Sequence, residues 1–403
     1  MSVQIISKER TMIMQKVVLG LIGAGRGCEL HMGGYEKVHG IDLRLKTMCD
    51  MDEARAKAGK ERYGFEEYKT DIDAVLADPE INLIDICTPP YAHVDIAIKA
   101  LKAGKNVISE KPLAGYFGQP GDPTPVGDAV PKKVMYERLM AKMEELKEAV
   151  ENSKGHFMYA ENFVYAPAVQ RAVDIIKAKK SRILYIKGEE SLKGSSSPVA
   201  GHWCKNGGGT LMRVGSHPLG AAIYLKQVEA EARGEDIRLT GVLADATRVT
   251  PTLTEYEHRH IAADPHDVED ICTALYTFSD GSRATIMATD VLLGGSLNYV
   301  ELYCNDAAIK CHLTLNDLMQ TYMIDEDGLD GMKLSEMLPI QTGWNNAFVS
   351  DEIIRGYTDE MQDFCEAVAY DREAKANFRL GYDTTRAMYA AYYSAEEGKK
   401  IDM

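Results

Sequence analysis

The sequence lacks any apolar run close to the roughly 20 residues that a membrane-spanning helix requires. Residues 1–16 mix charges among short apolar patches, without the apolar segment and small-residue cleavage site of an export signal. Cysteine is sparse as well, since eight are scattered along 403 residues with no CxxC pair. We therefore expect reduced, mostly buried thiols in a cytoplasmic protein, rather than a disulfide framework or a zinc site.

Positive charge is in deficit. Lys and Arg number 46 against 61 Asp and Glu, a formal net charge of −15. That balance repels nucleic-acid phosphates and anionic lipid surfaces, so neither is expected as a partner through bulk charge, although a local basic pocket could still hold an anion. Hydrophobic residues make up 45% and charged residues 27%, as is usual for a globular protein with a sizeable core. The length predicts two domains.

The first part of the chain alternates short apolar runs with stretches typical of helices. The expected strands cover 16–22, 43–49, 83–87, 106–109 and 156–161, and the expected helices cover 51–64, 71–76, 93–103 and 132–151. Strands alternating with helices form right-handed βαβ units. We therefore predict an α/β domain over 1–160 with a doubly wound parallel sheet. The segment 115–131, dense in Gly and Pro, is expected to be a functional loop or an insertion.

The second part, 161–403, shows mainly strands. The expected strands cover 182–190, 239–249, 270–278, 283–291, 297–303 and 308–313, with a hairpin turn at 279–281. This pattern predicts an α+β domain with an open antiparallel sheet, followed by helices at 358–370 and 383–396 that pack back on the first domain. An open sheet leaves an apolar face to bury, so we expect a homodimer or a homotetramer.

A glycine-rich turn follows the first expected strand and contains Gly23, Gly25, Arg26 and Gly27. Glycines between a strand and a helix N-terminus let backbone N–H groups approach a pyrophosphate. Asp50 ends the next strand, where a carboxylate binds both ribose hydroxyls of NAD and repels the 2′-phosphate of NADP. The motif therefore predicts NAD as cofactor. The alternative for Asp50 is that it only begins a turn or caps the following helix.

A second group of residues lies at the ends of the next two strands. Thr88, Pro89 and His93 follow one strand, and Glu110 and Lys111 follow the other. Open α/β sheets bind ligands at the carboxyl ends of their strands. We therefore expect these five residues to take part in cofactor binding.

Several longer segments resemble the Gfo/Idh/MocA family of sugar and cyclitol oxidoreductases. They are GAGRG, DICTPPYAHVDIAIKALKAGKNVISEKPLA, GGGTLMRVGSHPLGAAIYL and YAAYYSAEEGKKI. The resemblance runs from about residue 16 to the C-terminus, interrupted by the insertion at 115–131. It implies a Rossmann domain followed by an open-faced antiparallel sheet, with NAD(P) between the two.

The resemblance also implies catalytic roles for Lys111 of the EKP element and His217 of the glycine-rich segment. An ammonium stabilises alkoxide character, and a histidine moves the hydroxyl proton as hydride leaves the carbon. Without the resemblance, Lys111 reads as a surface partner of Glu110 and His217 as a core histidine bonded to a backbone carbonyl. His258, His260 and His266 lack the spacing of metal ligands, so no metal is expected.

Arg213 departs from the family pattern, which commonly has an aspartate four residues before the histidine. A guanidinium removes a possible base and offers a fork for anions. Two interpretations stay open: Arg213 grips a negatively charged or strongly polar part of the substrate, or it is a structural arginine paired with a nearby acid.

Four further residues are candidates for substrate binding. Glu161, Asn162 and Tyr165 follow the last strand of the first domain, a usual sugar-contacting position in this fold. The indole of Trp203 can stack on a sugar ring, with core packing as the alternative.

Together these features predict an NAD-dependent oxidoreductase that moves hydride between the nicotinamide and a secondary hydroxyl of a small carbohydrate, namely a sugar, glycoside or cyclitol. The alternative is an NAD-dependent glycoside hydrolase that works by transient oxidation at C3, elimination, hydration and re-reduction, possibly on an anionic sugar. A third possibility is a non-catalytic NAD-binding subunit, against which the presence of both Lys111 and His217 argues.

Overall fold

A six-stranded parallel sheet organises the first part of the computed structural model, which describes residues 15–314, 320–323, 342–346 and 351–403. Its strands are β1 (Val17–Ile22), β2 (Leu43–Cys49), β3 (Glu67–Lys69), β4 (Leu83–Ile86), β5 (Asn106–Glu110) and β6 (Phe157–Ala160). They lie in the order β3-β2-β1-β4-β5-β6, and every neighbouring pair is parallel. The order reverses between β1 and β4, which creates the crevice where such sheets bind ligands. The predicted doubly wound fold is confirmed.

Helices connect these strands and cover both faces of the sheet. They are α1 (Arg26–Tyr35), α2 (Glu53–Tyr63), α3 (Ile72–Leu76), α4 (His93–Lys102), α5 (Val126–Ala129) and α6 (Lys132–Glu151). The boundaries follow local chemistry, as α2 shows. The Asp52 side chain accepts from the backbone N–H of Ala54 at its start, and Gly64 takes a left-handed conformation at its end.

The second part of the chain forms a seven-stranded mixed sheet and a separate two-stranded one. The strands are β7 (Ile183–Ser191), β8 (Leu239–Thr247), β9 (Ile271–Phe278), β10 (Arg283–Thr289), β11 (Leu297–Cys304), β12 (Ala308–His312), β13 (Gln320–Met323), β14 (Gly343–Asn346) and β15 (Ile401–Asp402). The large sheet has the order β12-β11-β7-β10-β9-β8-β15, while β13 pairs with β14. The antiparallel sheet is confirmed except at β7 and β10, which run parallel because a long crossover separates them in the chain.

One face of the large sheet is covered by helices and the other is open. The helices of this part are α7 (Pro167–Lys179), α8 (Trp203–Asn206), α9 (Ser216–Arg233), α10 (Glu255–His258), α11 (Asp351–Ile354), α12 (Tyr357–Ala369) and α13 (Phe378–Glu397). Helix α9 packs closely on β7, where a Cβ at Gly188 would lie 2.9 Å from Pro218 Cβ. On the opposite face, Leu184, Leu243, Leu275 and Met287 are exposed.

The last two long helices pack against the first sheet and its helices. Helix α12 packs against α1 so closely that a Cβ at Gly34 would lie 2.6 Å from Met361 Cγ. Helix α13 packs on α6 and β8. The first sheet ends at Ala160, and the division of the chain into 1–160 and 161–403 stays a prediction, because these helices belong to the packing of both parts.

The segment 115–131 fastens the two parts together. The Trp203 indole N–H donates to the Tyr116 carbonyl at 2.9 Å, and the Gly127 N–H donates to Asp267 at 2.9 Å. Asp128 forms an ion pair with Arg248 of the second part. This ordered insertion therefore holds the two parts together beside the cleft between them.

No helix among the described residues is both long and apolar enough to cross a bilayer. Residues 1–14, on which most of the expectation about export rests, lie outside the described residues.

Candidate active site

The glycine turn after β1 forms an open cradle at the start of α1. Gly23 has a φ of +103°, and a Cβ there would lie 2.6 Å from the Cys87 carbonyl oxygen, so only glycine fits. Gly25 is the N-cap of α1, with no side chain capping the helix. A Cβ at Gly25 would meet nothing within 4 Å. Uncapped N–H groups facing open space are what a pyrophosphate requires.

Asp50 lies beside this turn, at the end of β2. Its Oδ2 accepts from the Ala24 N–H at 2.9 Å and its Oδ1 from the Asp52 N–H at 2.9 Å. The N-cap of α2 is Asp52, so the alternative that Asp50 caps this helix is wrong. Each carboxylate oxygen can accept further hydrogen bonds. The Asp50 carboxylate thus braces the turn and retains acceptor sites for ribose hydroxyls.

His93 ties the turns after β4 and β5 to one another. One ring nitrogen lies 2.8 Å from the Thr88 carbonyl oxygen and the other 2.9 Å from that of Pro112. Burial lowers the pKa of His93. The predicted cofactor contact of His93 is therefore indirect, since both nitrogens face backbone carbonyls. Pro89 precedes the short turn of helix at Pro90–Ala92, and the buried Thr88 hydroxyl has no hydrogen-bond partner among the described residues.

Glu110 is held by a buried histidine that the sequence reasoning missed. Its Oε2 accepts from the Lys111 N–H at 2.7 Å, and its Oε1 lies 3.1 Å from His31 Nε2. His31 Nδ1 lies 2.8 Å from Asp85 on β4. Burial opposes a charge on His31, but the Asp85 carboxylate and the Cys87 side chain together outweigh burial and raise the pKa of His31 well above its usual value. His31 therefore carries a proton on each nitrogen and fixes Glu110.

Lys111 reaches across the cleft to the second part of the chain. Its Nζ donates to the carbonyl oxygen of Arg213 at 2.6 Å. Among the residues that the structure describes, no carboxylate forms an ion pair with Lys111, so the expected alternative of a surface pair with Glu110 is wrong. The ammonium lies in the wall of the cleft, where it can meet a substrate hydroxyl.

His217 lies across this cleft and is backed by Glu161. Its Nδ1 lies 2.7 Å from Glu161 Oε1, and its ring stacks on Phe163 with centroids 5.0 Å apart. Glu161, at the end of β6, is fully buried and does not reach the cleft wall. The structure therefore places Glu161 behind the histidine, where it cannot contact substrate as predicted. The alternative for His217, a bond to a backbone carbonyl, is also replaced by this carboxylate.

Burial shifts both members of this pair toward their uncharged forms. It raises the pKa of Glu161 to about 8. Burial, together with the Lys111 ammonium, lowers the pKa of His217 to about 3. At neutral pH one proton therefore lies between Oε1 and Nδ1 and another on Nε2. Loss of one proton at higher pH leaves a carboxylate, a protonated Nδ1 and a free lone pair on Nε2.

The cleft has a volume of about 560 Å³ and lies between the two sheets. Its wall includes Arg26, Glu110, Lys111, Asn162, Arg213 and His217, which the sequence had singled out. The Asn162 side-chain amide donates to the Arg355 carbonyl at 2.9 Å. The structure thus brings the predicted cofactor turn, lysine and histidine to one space.

Two buried acids of the cleft wall escaped the sequence reasoning. Glu190 is the last residue but one of β7, its Oε2 has no hydrogen-bond partner among the described residues, and burial raises its pKa. Glu360 of α12 is fully buried, and neither of its carboxyl oxygens has a partner in the described part of the chain. A charged residue at the end of a buried strand was the available signal for Glu190. No signal pointed to Glu360, which α12 brings in from far along the sequence.

Arg213 supports both interpretations that the sequence left open. Its Nη1 donates to Asp290 Oδ2, which makes it a structurally paired arginine. Its side chain nevertheless retains 17% exposure and lines the cleft. The guanidinium is therefore anchored and still accessible to a ligand.

Tyr165 and Trp203 lie in the core, away from the cleft. The Tyr165 hydroxyl donates to Asp363 at 2.8 Å and accepts from the Ala376 N–H at 3.0 Å. Trp203 is 2% exposed and packs with its ring centroid 4.9 Å from that of Tyr392. The predicted substrate contacts of Tyr165 and Trp203 are therefore corrected, because the polar atoms of both side chains already bond to protein atoms. Trp203 packs in the core, which was its alternative interpretation.

Two groups of side chains have the composition of metal ligands. His31, Asp85 and Cys87 form one group, and His202, His266 and Asp267 form the other. In the first, the histidine is already bonded to carboxylates through both nitrogens. In the second, the two Asp267 oxygens accept from the N–H groups of Trp203 and Gly127. We assign no metal to either group.

The sheet order, the glycine cradle and the acid at the end of β2 define a dinucleotide-binding oxidoreductase. Residues 17–119 match the model of the Gfo/Idh/MocA group, described as an oxidoreductase family with an NAD-binding Rossmann fold. Over these residues the chain is similar to this family, as the resemblance of its motifs had indicated.

One curated relative extends the likeness to nearly the whole chain, and another covers part of it. Levoglucosan dehydrogenase of Pseudarthrobacter phenanthrenivorans is 25% identical over 97% of this chain and 99% of its own length. Myo-inositol 2-dehydrogenase of Thermotoga maritima is 28% identical over 33% of this chain and 40% of its own.

Solved structures share the fold over nearly the full length. GenD2 from gentamicin A biosynthesis, in complex with NAD, superposes with a TM-score of 0.74 at 20% identity and covers 97% of both chains. Levoglucosan dehydrogenase in complex with NADH and levoglucosan gives a TM-score of 0.70 at 21% identity, covering 96% of this chain and 99% of that one.

Proposed function

We propose that this protein is an NAD-dependent dehydrogenase that oxidises a secondary hydroxyl of a sugar, glycoside or cyclitol. The observation that carries the proposal is the convergence of Lys111 and His217 on one cleft beside the cofactor cradle. The full-length relative named levoglucosan dehydrogenase and the inositol dehydrogenase support a cyclic polyol as substrate.

The cradle residues would hold the cofactor. The turn of Gly23, Gly25 and Gly27 and the N-terminus of α1 suit the pyrophosphate. The Asp50 carboxylate suits ribose hydroxyls and repels the phosphate of NADP. The Thr88 hydroxyl, which has no partner within the described part of the chain, and the anchored Glu110 follow strands β4 and β5, on the side proposed for the nicotinamide. When bound, NAD supplies the hydride acceptor.

The chain's own groups move the proton. As hydride leaves the carbon, the hydroxyl proton must pass to a base within hydrogen-bond reach. His217 Nε2 takes this proton, and the Glu161 carboxylate behind it stabilises the resulting imidazolium. The Lys111 ammonium, already directed across the cleft by the Arg213 carbonyl, stabilises the developing alkoxide.

The open face of the large sheet supports a homodimer or homotetramer. Leu243 and Leu275 lie opposite each other on β8 and β9 and are 46% and 39% exposed. Adjacent exposed leucines on a flat sheet are stabilised by burial against a second copy. Six of the eight free thiols are buried, which agrees with a cytoplasmic location.

A carbohydrate panel tests the proposal. Purified protein is mixed with NAD and neutral and acidic sugars, glycosides and cyclitols, and NADH formation is followed by absorbance. A substrate deuterated at the reacting carbon must transfer its label to the nicotinamide. Release of free sugar from a glycoside without net NADH would instead support the hydrolase, and tight NAD binding with neither reaction would support a non-catalytic subunit.

A further inference from the structure

The cleft continues past Arg213 into a second one. This second cleft has a volume of about 500 Å³. Ser195, Ser196, Arg213 and Ala262 line both clefts, so the two join at these residues. Sites for small molecules commonly occupy about 300–1,000 Å³, and the second cleft by itself has that size.

The walls of the second cleft are polar and offer groups to a ligand. His202 and His266 lie on one side with ring centroids 4.8 Å apart. Within the described residues, neither ring has a hydrogen-bond partner at its nitrogens, and the Asp264 carboxylate has none either. Ser195, Ser196 and Ser197 also line this cleft and bring hydroxyl groups to it.

The backbone around these groups is held in place. The His266 N–H donates to the Gly201 carbonyl at 2.9 Å, and the Ala262 N–H donates to the Lys193 carbonyl at 2.7 Å. The second cleft is therefore bounded by segments bonded to one another, and its polar side chains are displayed on that frame.

Arg213 lies between this second cleft and the proposed catalytic residue Lys111. Its carbonyl accepts from the Lys111 ammonium, and its Nη1 donates to Asp290. Its other guanidinium N–H groups have no partner among the described residues, and Arg213 lines both clefts. A ligand that reaches from Lys111 into the second cleft must pass this guanidinium.

We propose that the second cleft binds the group glycosidically linked to the sugar that is oxidised, so that the substrate is a disaccharide or another glycoside with a polar second group. Arg213 then contacts the region of the linkage. Polar walls favour a hydroxyl-bearing group over an apolar one, because hydroxyls can satisfy the serine, histidine and aspartate side chains. This inference rests on the proposed function and deepens it.

Binding to the NADH-loaded protein tests the subsite without turnover. Calorimetry compares glucose with cellobiose, maltose and trehalose, and galactose with melibiose. The variant Ala200→Trp should fill the second cleft, because Ala200 lines that cleft and does not line the first one. Val199→Trp is the matched control, because Val199 is 44% exposed and does not line either cleft. Ser197→Trp is the second filling variant if Ala200→Trp fails to fold.

We expect at least one disaccharide to bind ten times more tightly than its monosaccharide. The filling variants should abolish this preference, while Val199→Trp should retain it. Equal affinities for every pair, or a preference that survives filling, would overturn the inference. If NADH forms but each disaccharide binds no more tightly than its monosaccharide, the proposed dehydrogenase activity is supported and the subsite is rejected. If a disaccharide binds more tightly but neither turnover nor label transfer occurs, the subsite is supported and the dehydrogenase activity is rejected.

Discussion

His217 Nδ1 lies 2.7 Å from Glu161 Oε1, and both side chains are buried. The carboxylate comes from the end of β6 and the histidine from the first turn of α9. Arg213 stands four residues before His217, so no carboxylate lies one helical turn before the histidine. Glu161 supplies one from a different element, and we regard it as the residue that positions His217.

This pair predicts that oxidation and reduction depend on pH in opposite directions. Burial raises the pKa of Glu161 to about 8, so below that pH the Nε2 atom of His217 carries a proton and cannot act as a base. We expect kcat/KM for alcohol oxidation to rise tenfold per pH unit up to about pH 8 and then level off. The rate of ketone reduction, which needs the proton on Nε2, should stay level up to about pH 8 and fall tenfold per pH unit above it.

Glu161→Gln is the variant that checks this assignment. An amide cannot ionise, so the limb near pH 8 should disappear, and oxidation should slow by about 10²-fold or more, as when the carboxylate of a histidine pair is neutralised. Glu161→Asp should restore part of the rate and a titration. Calorimetry with NADH provides the control, since affinity should stay within about twofold. A wild-type pH profile retained in the Gln variant would show that another group titrates.

Lys111→Met should abolish most activity while leaving the cofactor bound. Removing the ammonium that stabilises the alkoxide should lower kcat by about 10²–10⁴-fold. Methionine has nearly the same shape, so the packing of the loop is retained. Lys111→Arg keeps a positive charge in a bulkier group, so its kcat should lie between those of the wild type and Lys111→Met. Stopped-flow hydride transfer gives the rate, and an unchanged rate in Lys111→Met would remove Lys111 from the mechanism.

Asp50→Ser should shift cofactor preference toward NADP. Losing the hydrogen bonds from ribose hydroxyls to a carboxylate costs about 1.5–3 kcal/mol, or about 10- to 100-fold in Kd for NAD. NADP should gain because the carboxylate no longer repels its phosphate. Calorimetry with both cofactors measures the ratio. The matched control is Asp52→Ser at the nearby N-cap of α2, where serine caps as well as aspartate, so stability and the ratio of the two affinities should both stay unchanged.

Local patterns in the sequence were sufficient to predict most of the fold. The strand at 43–49 and the helix at 132–151 have the predicted bounds, because apolar periodicity and flanking Gly, Pro and Asp mark them. Strand β3 was missed, since three residues carry no periodicity. The parallel pairing of β7 with β10 was missed too, because neighbours in a sheet depend on the path of the chain.

The site divides in the same way. The glycine turn, Asp50 and Lys111 follow strands directly, so their sequence neighbours locate them. Glu161 and His217 are 56 residues apart, and only the packing of α9 on the end of β6 joins them. The prediction for Tyr165 was wrong because the residue does follow β6, as expected, but its side chain is buried in the core.

Tyr165→Phe should therefore lower stability and leave catalysis intact. The substitution removes the bond to Asp363 and leaves the Ala376 N–H without its acceptor. A buried hydrogen-bonding group left unsatisfied costs about 1–3 kcal/mol of unfolding free energy. Urea unfolding measures that loss, and KM for the sugar should not change. A raised KM with normal stability would return Tyr165 to the substrate site.

Leu275→Glu should dissociate the assembly that the open sheet face predicts. Leu275 lies opposite Leu243 on the exposed face, so a carboxylate there would be desolvated in any interface that covers the pair. We expect light scattering to show a smaller species for Leu275→Glu, with far-UV circular dichroism unchanged. Tyr256→Glu is the control, because Tyr256 is 72% exposed on α10, outside this sheet. An assembly that persists in Leu275→Glu would place the interface elsewhere on the surface, since a lone buried carboxylate opposite an apolar side chain is too costly to retain.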